Sequence, residues 1–319
     1  MAELPLTHRT HASERSLSGW RENVGAPLAL DLADEAPDGA RTLAVLSWNV
    51  WIGRGDLVGL ITRIRDGAYA AEGIPRGTPL VALVQEAYRA DATIPDAGNG
   101  SHGRDSYRRR GTDEHDIRIV AERLALNLRY APSMRNGEHR SDRGNAILST
   151  LPLLDATATE LPLALQRRVA VSASVACGGR TLRLHTAHLD PRGRTARDLL
   201  GSGGRLAQIR GLLDVLALHD GVAHILGADL NLARQRQEPA FRALVDAGFV
   251  TGIPARDPTW THTYHRLPRL ILDWLLIADE TGSIAAADVR RLDEHPQDRG
   301  PSVFGSDHHP LLARIDLAP

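Results

Sequence analysis

A single cysteine, Cys177, stands in 319 residues. One thiol cannot form an internal disulfide or build a cysteine-based zinc site, so Cys177 reads as a small hydrophobe. Aromatic residues are scarce at 4%, which argues against stacking bases along aromatic platforms. The formal net charge is only -1. No global field draws the chain to nucleic acid or an anionic membrane, although a local basic patch fits that balance. No window approaches the roughly 18 consecutive apolar residues of a transmembrane segment. Residues 1–20 carry no apolar run of a secretory signal, and the expected location is cytoplasmic. No repeat of solenoid period occurs, and nothing in the sequence specifies an oligomeric state.

What is present is ordinary for a globular chain: 42% hydrophobic and 24% charged residues, enough for one large domain or two small ones. Residues 1–40 have little period and read as a loosely ordered arm or an edge element. The rest, 41–319, reads as one domain of strands with fewer helices. Apolar runs predict strands at 42–53, 80–84 and 223–226, and at 270–279 with Asp273 at its centre. Two short strands flank the turn at Leu151-Pro152, and two alternating strands flank Gly178-Gly179. Helical spacing marks 57–71, 116–128 and 199–219, the last with Leu206, Ile209, Leu213 and Leu216 on one stripe. A short helix spans 239–247 and ends at Gly248. Residues 89–111 read as a long polar loop. Its Arg108, Arg109 and Arg110 form a basic run whose default is a solvated surface.

The informative residues are polar exceptions at the ends of apolar strands. In HILGADLN, Asp229 and Asn231 are two residues apart, so a continuing strand points both to one face. Asn49 lies near the end of one strand and Glu86 follows another, and each must find partners or bear a desolvation cost. His188 ends a strand, Asp273 interrupts one, and Asp307 with His308 precedes the last. Each alone has a plain alternative, such as a turn former, a helix start or a core hydrogen bond. Together they are what a site at a sheet edge needs. His102, His115, His139, His262 and His265 read as surface or loop residues, and His309 as a non-catalytic neighbour of His308.

The stretches SWNVW, VQEAYR, GNAILS, TAHLD, GADLN, LDWLLI and SDHHP, in this order, resemble the endonuclease/exonuclease/phosphatase superfamily. The likeness runs from about Thr42 to the C-terminus. It departs at Ala228, inserted between Gly227 and Asp229, and at Leu230, which replaces an aromatic. The resemblance implies an α/β fold, a four-layered α/β/β/α sandwich of two mixed sheets. It implies a metal-dependent phosphoesterase acting on a phosphate-ester substrate, with nucleic acid among the candidates. Asn49, Glu86 and Asp307 would then hold Mg2+ or Mn2+, since hard oxygen donors suit these ions. His188, Asp229, Asn231, Asp273 and His308 would act on water and phosphate, Asp273 orienting His308. Either His308 or Asp229 would be the base. A lipid headgroup or inositol phosphate is an alternative substrate, and a phosphate-binding scaffold without catalysis is the alternative of another class.

Overall fold

A computed structural model describes residues 4, 6–8, 18, 20–33, 39–96, 115–136, 140–193, 198, 200–216, 218, 220–252, 262–295 and 300–319. The basic run at Arg108, Arg109 and Arg110, together with His102 and His139, lies outside them. The first half of the chain forms β1 (Leu6–His8), β2 (Leu28–Leu30), β3 (Thr42–Asn49), α1 (Leu57–Arg65), β4 (Leu80–Ala90), α2 (Ile117–Leu124), β5 (Asn127–Arg135) and β6 (Ser141–Ser149). The second half forms β7 (Leu154–Glu160), β8 (Val169–Cys177), β9 (Arg180–His188), α3 (Ser202–Leu216), β10 (Ala223–Asp229), α4 (Pro239–Asp246), β11 (Val250–Thr251), β12 (Asp273–Ala278), β13 (Ile284–Arg291) and β14 (Leu311–Leu317).

The strands make two seven-stranded sheets, ordered β1-β7-β8-β9-β10-β12-β11 and β13-β14-β3-β4-β6-β5-β2. Each sheet has one parallel pair near its middle, β9 with β10 and β3 with β4. Parallel central strands are covered on both faces, and alternation then sends side chains into two cores. Leu43, Val45, Val81 and Leu83 face the other sheet's Leu184 and Ile225. Ala44, Leu46 and Trp48 face outward onto Leu60, Ile61 and Ile64 of α1. Ile209 and Leu212 of α3 and Phe241 and Leu244 of α4 extend the first core around the second sheet. The layers are therefore α/β/β/α, as the sequence predicts. Within the first forty residues, β1 and β2 join the sheet edges, and Trp20 and Val24 are buried.

Local chemistry fixes the helix ends. Asp56 caps α1 by accepting from the Gly59 amide at 2.8 Å, and Asp116 caps α2 by accepting from the Arg118 amide at 2.8 Å. Both are carboxylate caps of the usual kind. The helices are shorter than the sequence predicts, because the residues after α2 are drawn into β5. The predicted stripe on α3 is also rotated. Arg205, Gln208, Ile209 and Leu212 are buried, whereas Leu206 and Leu213 are partly exposed. A buried pair of Arg205 with Glu238 turns the helix to that face.

Two contacts set how closely the sheets approach. A Cβ at Gly227 would meet Ser47 Oγ at 2.7 Å and Leu83 Cδ1 at 2.8 Å, so only glycine fits there. Beside it, the Gln85 side chain donates to Thr186 Oγ1 at 3.0 Å and to the Gly227 carbonyl at 3.2 Å. Gln85 thus ties β4 to both β9 and β10. Among the described residues, no helix is long and apolar enough to cross a membrane.

Candidate active site

The carboxyl ends of β3, β4, β9 and β10 and the amino ends of β12 and β14 lie at one end of the sandwich. Asp229 is in register with His188 on one side and with Asp273 on the other. A cleft of about 630 Å3 opens there, lined by Asn49, Glu86, His188, Asp229, Asn231, Asp307 and His308 among others. Asp273 stands behind this wall and reaches it through His308.

Several positions differ in detail from the sequence expectation. Glu86 does not follow β4 but sits inside it, where the pairing with β6 shifts register between Val84 and Ala87. Its φ of 54° is left-handed, and the bulge re-aims the side chain into the cleft. The strand then continues to Ala90, through the start of the predicted loop. Asp273 begins β12 rather than interrupting it, because the Asp273 and Leu272 amides both donate to Thr263 Oγ1 at 2.9 Å. β10 ends at Asp229, and Asn231 has φ 50°. Asn231 therefore does not continue the pleat. Its amide N–H donates to Asp229 Oδ1 at 3.0 Å, and its side chain donates to the Leu189 carbonyl at 3.0 Å. This local turn still brings both side chains to the cleft.

Asp229 is the centre of the network. Its Oδ2 accepts from Asn49 Nδ2 at 2.9 Å and lies 3.3 Å from His188 Nε2 and 3.9 Å from His308 Nε2. Burial, and then the charge of Asp273, push the Asp229 carboxyl up to about 7. His308 Nδ1 meets Asp273 Oδ2 at 2.8 Å. Burial opposes its protonation, but Asp273, Asp229 and Asp307 outweigh it and raise the imidazole to about 10. His188 goes the other way, held well below the usual range by burial and by Arg168. Asp307 is raised by burial, and Glu86 adds like charge to it.

Further charged residues stand at or behind the cleft wall, among them Arg168, which like Arg167 reads from the sequence as either a phosphate contact or a surface arginine. Asp190, of the TAHLD stretch, is fully buried. It accepts from Arg168 Nε at 3.0 Å and from the Leu165 amide at 2.8 Å. Its signal is the one that marks the others, a carboxylate directly after an apolar strand. Arg168, Arg143 and Arg192 line the cleft, and Arg167 turns instead to Glu160. At the rim, Trp51 has Arg54 at 3.8 Å and Arg266 at 4.2 Å from its ring centre. The Tyr264 ring lies 5.0 Å from that of His308. Trp51 closes the SWNVW stretch, whereas Tyr264 lies in none of the quoted stretches.

His185 and His188 are fully buried and held well below the ordinary histidine range by burial, and burial also lowers His224 and His262. Below about pH 6.5 the unfolded chain takes up protons that these folded residues refuse. Stability is therefore present above that pH and falls as the pH drops. Asp229, Asp307 and His308, all raised in the folded chain, work in the opposite sense and offset part of this. The net expectation is a loss of at least ~1 kcal/mol per pH unit below about pH 6. Urea denaturation at pH 7.5 and pH 5.5 checks it, and a higher midpoint at pH 5.5 refutes it.

The sequence profile of the Endonuclease/Exonuclease/phosphatase family matches residues 46–308. Comparison with curated proteins gives no match. Among solved structures, an endonuclease/exonuclease/phosphatase from Beutenbergia cavernae superposes with a TM-score of 0.58 at 20% identity, over 87% of this chain and 72% of that one. The human Nocturnin catalytic domain gives 0.56 at 16%, over 92% and 98%. D. rerio TDP2 complexed with single strand DNA product gives 0.51 at 18%, over 86% and 99%. At these identities the likeness is one of fold.

Proposed function

Because the chain belongs to the endonuclease/exonuclease/phosphatase family, we propose that it is a divalent-metal-dependent phosphoesterase that cleaves a phosphodiester with water. The observation that carries this reading is the meeting of Asp229 with His308 at 3.9 Å, the latter backed by Asp273 at 2.8 Å. The donor set suits a hard cation. Glu86 and Asp307 are like charges facing one cleft. Asn49 Oδ1 accepts from the Trp51 amide at 3.0 Å, which leaves its second lone pair. These three residues would hold Mg2+ or Mn2+. A bound cation supplies positive charge to a non-bridging phosphate oxygen as charge grows there.

The remaining steps belong to side chains. Asp229 takes the proton of the attacking water, since its carboxyl is poised near neutral pH. His308 stays protonated and donates from Nε2 to a phosphate oxygen. Asp273 is a positioning residue that holds this charge and tautomer. Asn231 and His188 orient the ester. Arg143, Arg168 and Arg192 give the wall positive charge, which favours an extended anionic substrate and a nuclease-like activity. Single-stranded DNA, inositol phosphates and phospholipid headgroups are the substrates to compare.

The test is hydrolysis of bis-p-nitrophenyl phosphate with Mg2+ or Mn2+, against EDTA and a His308→Ala control. EDTA should abolish turnover, and His308→Ala should lower it at least ~100-fold. Turnover that survives both overturns the mechanism. Metal binding without turnover on any phosphoester favours a binding scaffold.

A further inference from the structure

Three histidines outside the cleft meet behind its wall. His262, His265 and His309 are 7%, 6% and 0% exposed, which corrects the surface reading of the first two. Each offers one ring nitrogen, and the three nitrogens lie within 4.8 Å of one another. Backbone bonds join their two segments. The His309 amide donates to the Thr263 carbonyl, and the His265 amide to the Asp307 carbonyl, both at 2.8 Å.

The protonation of two rings follows from their outer partners. His265 Nε2 lies 2.7 Å from the Gly300 carbonyl. A carbonyl can only accept, so Nε2 carries the proton and Nδ1 presents its lone pair. His309 Nδ1 lies 3.2 Å from the Leu292 carbonyl and 3.0 Å from Asp293 Oδ1. It is the donor there, and Nε2 presents a lone pair. These two lone-pair nitrogens, His265 Nδ1 and His309 Nε2, face each other at 3.3 Å. Two acceptors this close repel unless something positive lies between them. Two nitrogens bound to one zinc at ~2.0–2.1 Å, at the tetrahedral angle, are about 3.3–3.4 Å apart.

We propose that His262, His265 and His309 form a second metal site, selective for zinc and separate from the oxygen-lined cleft. Three imidazoles suit zinc and not magnesium, which requires oxygen. The outer bonds of His265 and His309 to a carbonyl and a carboxylate are the support that metal-bound histidines normally have. The fourth position is left for water or another donor. Such an ion would pin the segment carrying Thr263 and Tyr264 to the turn carrying Asp307 and His308. It would act on the active site through positioning.

The experiment uses the full chain without a polyhistidine tag, dialysed and saturated with Mg2+. Elemental analysis should find one zinc per chain. Co2+ added to the zinc-stripped protein should give the visible bands of tetrahedral cobalt, displaced by zinc. His265→Asn and His262→Asn should each weaken Co2+ binding at least ten-fold, and Asp229→Asn should leave the bands in place. The wild-type titration needs no variant to fold. Folded wild type that retains no zinc and gives no cobalt bands overturns the proposal. So do bands that persist in both histidine variants but vanish in Asp229→Asn.

Discussion

Asp229→Asn is expected to lower kcat for bis-p-nitrophenyl phosphate by about 10³-fold or more, with the fold retained. The substitution keeps the side chain's size but removes its ability to take a proton. The three groups around Oδ2, on Asn49, His188 and His308, then lose their common acceptor or face an amide. Stability should change by no more than about 1–2 kcal/mol, because a lost hydrogen bond is balanced by relief of a buried charge. The wild-type rate should fall as pH drops below about 7, where Asp229 takes up its proton. It should fall again above about 10, where His308 loses its own. A bound cation favours the ionised carboxylate and moves the acid limb lower. Single-turnover kinetics across pH, with circular dichroism of the variant, make the check. A loss below ten-fold would move the base elsewhere.

The second large effect concerns stability. Arg205→Met should destabilise the protein by roughly 3–5 kcal/mol, and the double change Arg205→Met with Glu238→Met should recover most of it. Both side chains are fully buried, with Arg205 Nη2 at 2.7 and 2.9 Å from the two Glu238 oxygens and Nε at 3.1 Å. Losing one partner strands the other's charge in the core. Losing both leaves an apolar pair of similar volume. Arg205 Nη1 also donates to the Asp190 carbonyl at 3.1 Å, and Asp190 in turn holds Arg168 in the cleft. The single variant should therefore also lose affinity for an anionic substrate. Denaturant melts of the three proteins decide it. A double variant no more stable than the single would show that the ion pair itself is favourable.

The central strands were legible because they are buried on both faces and read as continuous apolar runs, and the layered sandwich followed from the family resemblance. The candidate site was legible for the same reason, as each polar residue at the end of such a run stands out against it. What escaped has no comparable contrast. β5, whose nine residues include Arg129, Pro132, Ser133 and Arg135, is buried through side-chain bonds rather than apolar content, such as Arg129 to the Leu153 carbonyl at 2.7 Å. β13 has only one buried residue, Val289, among partly and fully exposed ones, so alternation is weak. The position of Glu86 depends on a bulge that periodicity does not encode. The histidine cluster joins residues 44 apart in sequence, and only the approach of two segments brings them together.

Gly227 has a consequence for how this protein fails under stress. Asn49 and Glu86 come from one sheet, and His188, Asp229 and Asp273 from the other. In the proposed mechanism the gap between the sheets is thus a working dimension, and it stays narrow because Gly227 has no Cβ, which would meet Ser47 and Leu83. A small parting of the layers would spread the reacting groups while each sheet kept its own hydrogen bonds. Misplacement by about 1 Å can cost ~100-fold in rate. Heating should accordingly silence the proposed activity several degrees before the strands melt, and Gly227→Ala should bring that silence down to ordinary temperatures in a chain that still looks folded.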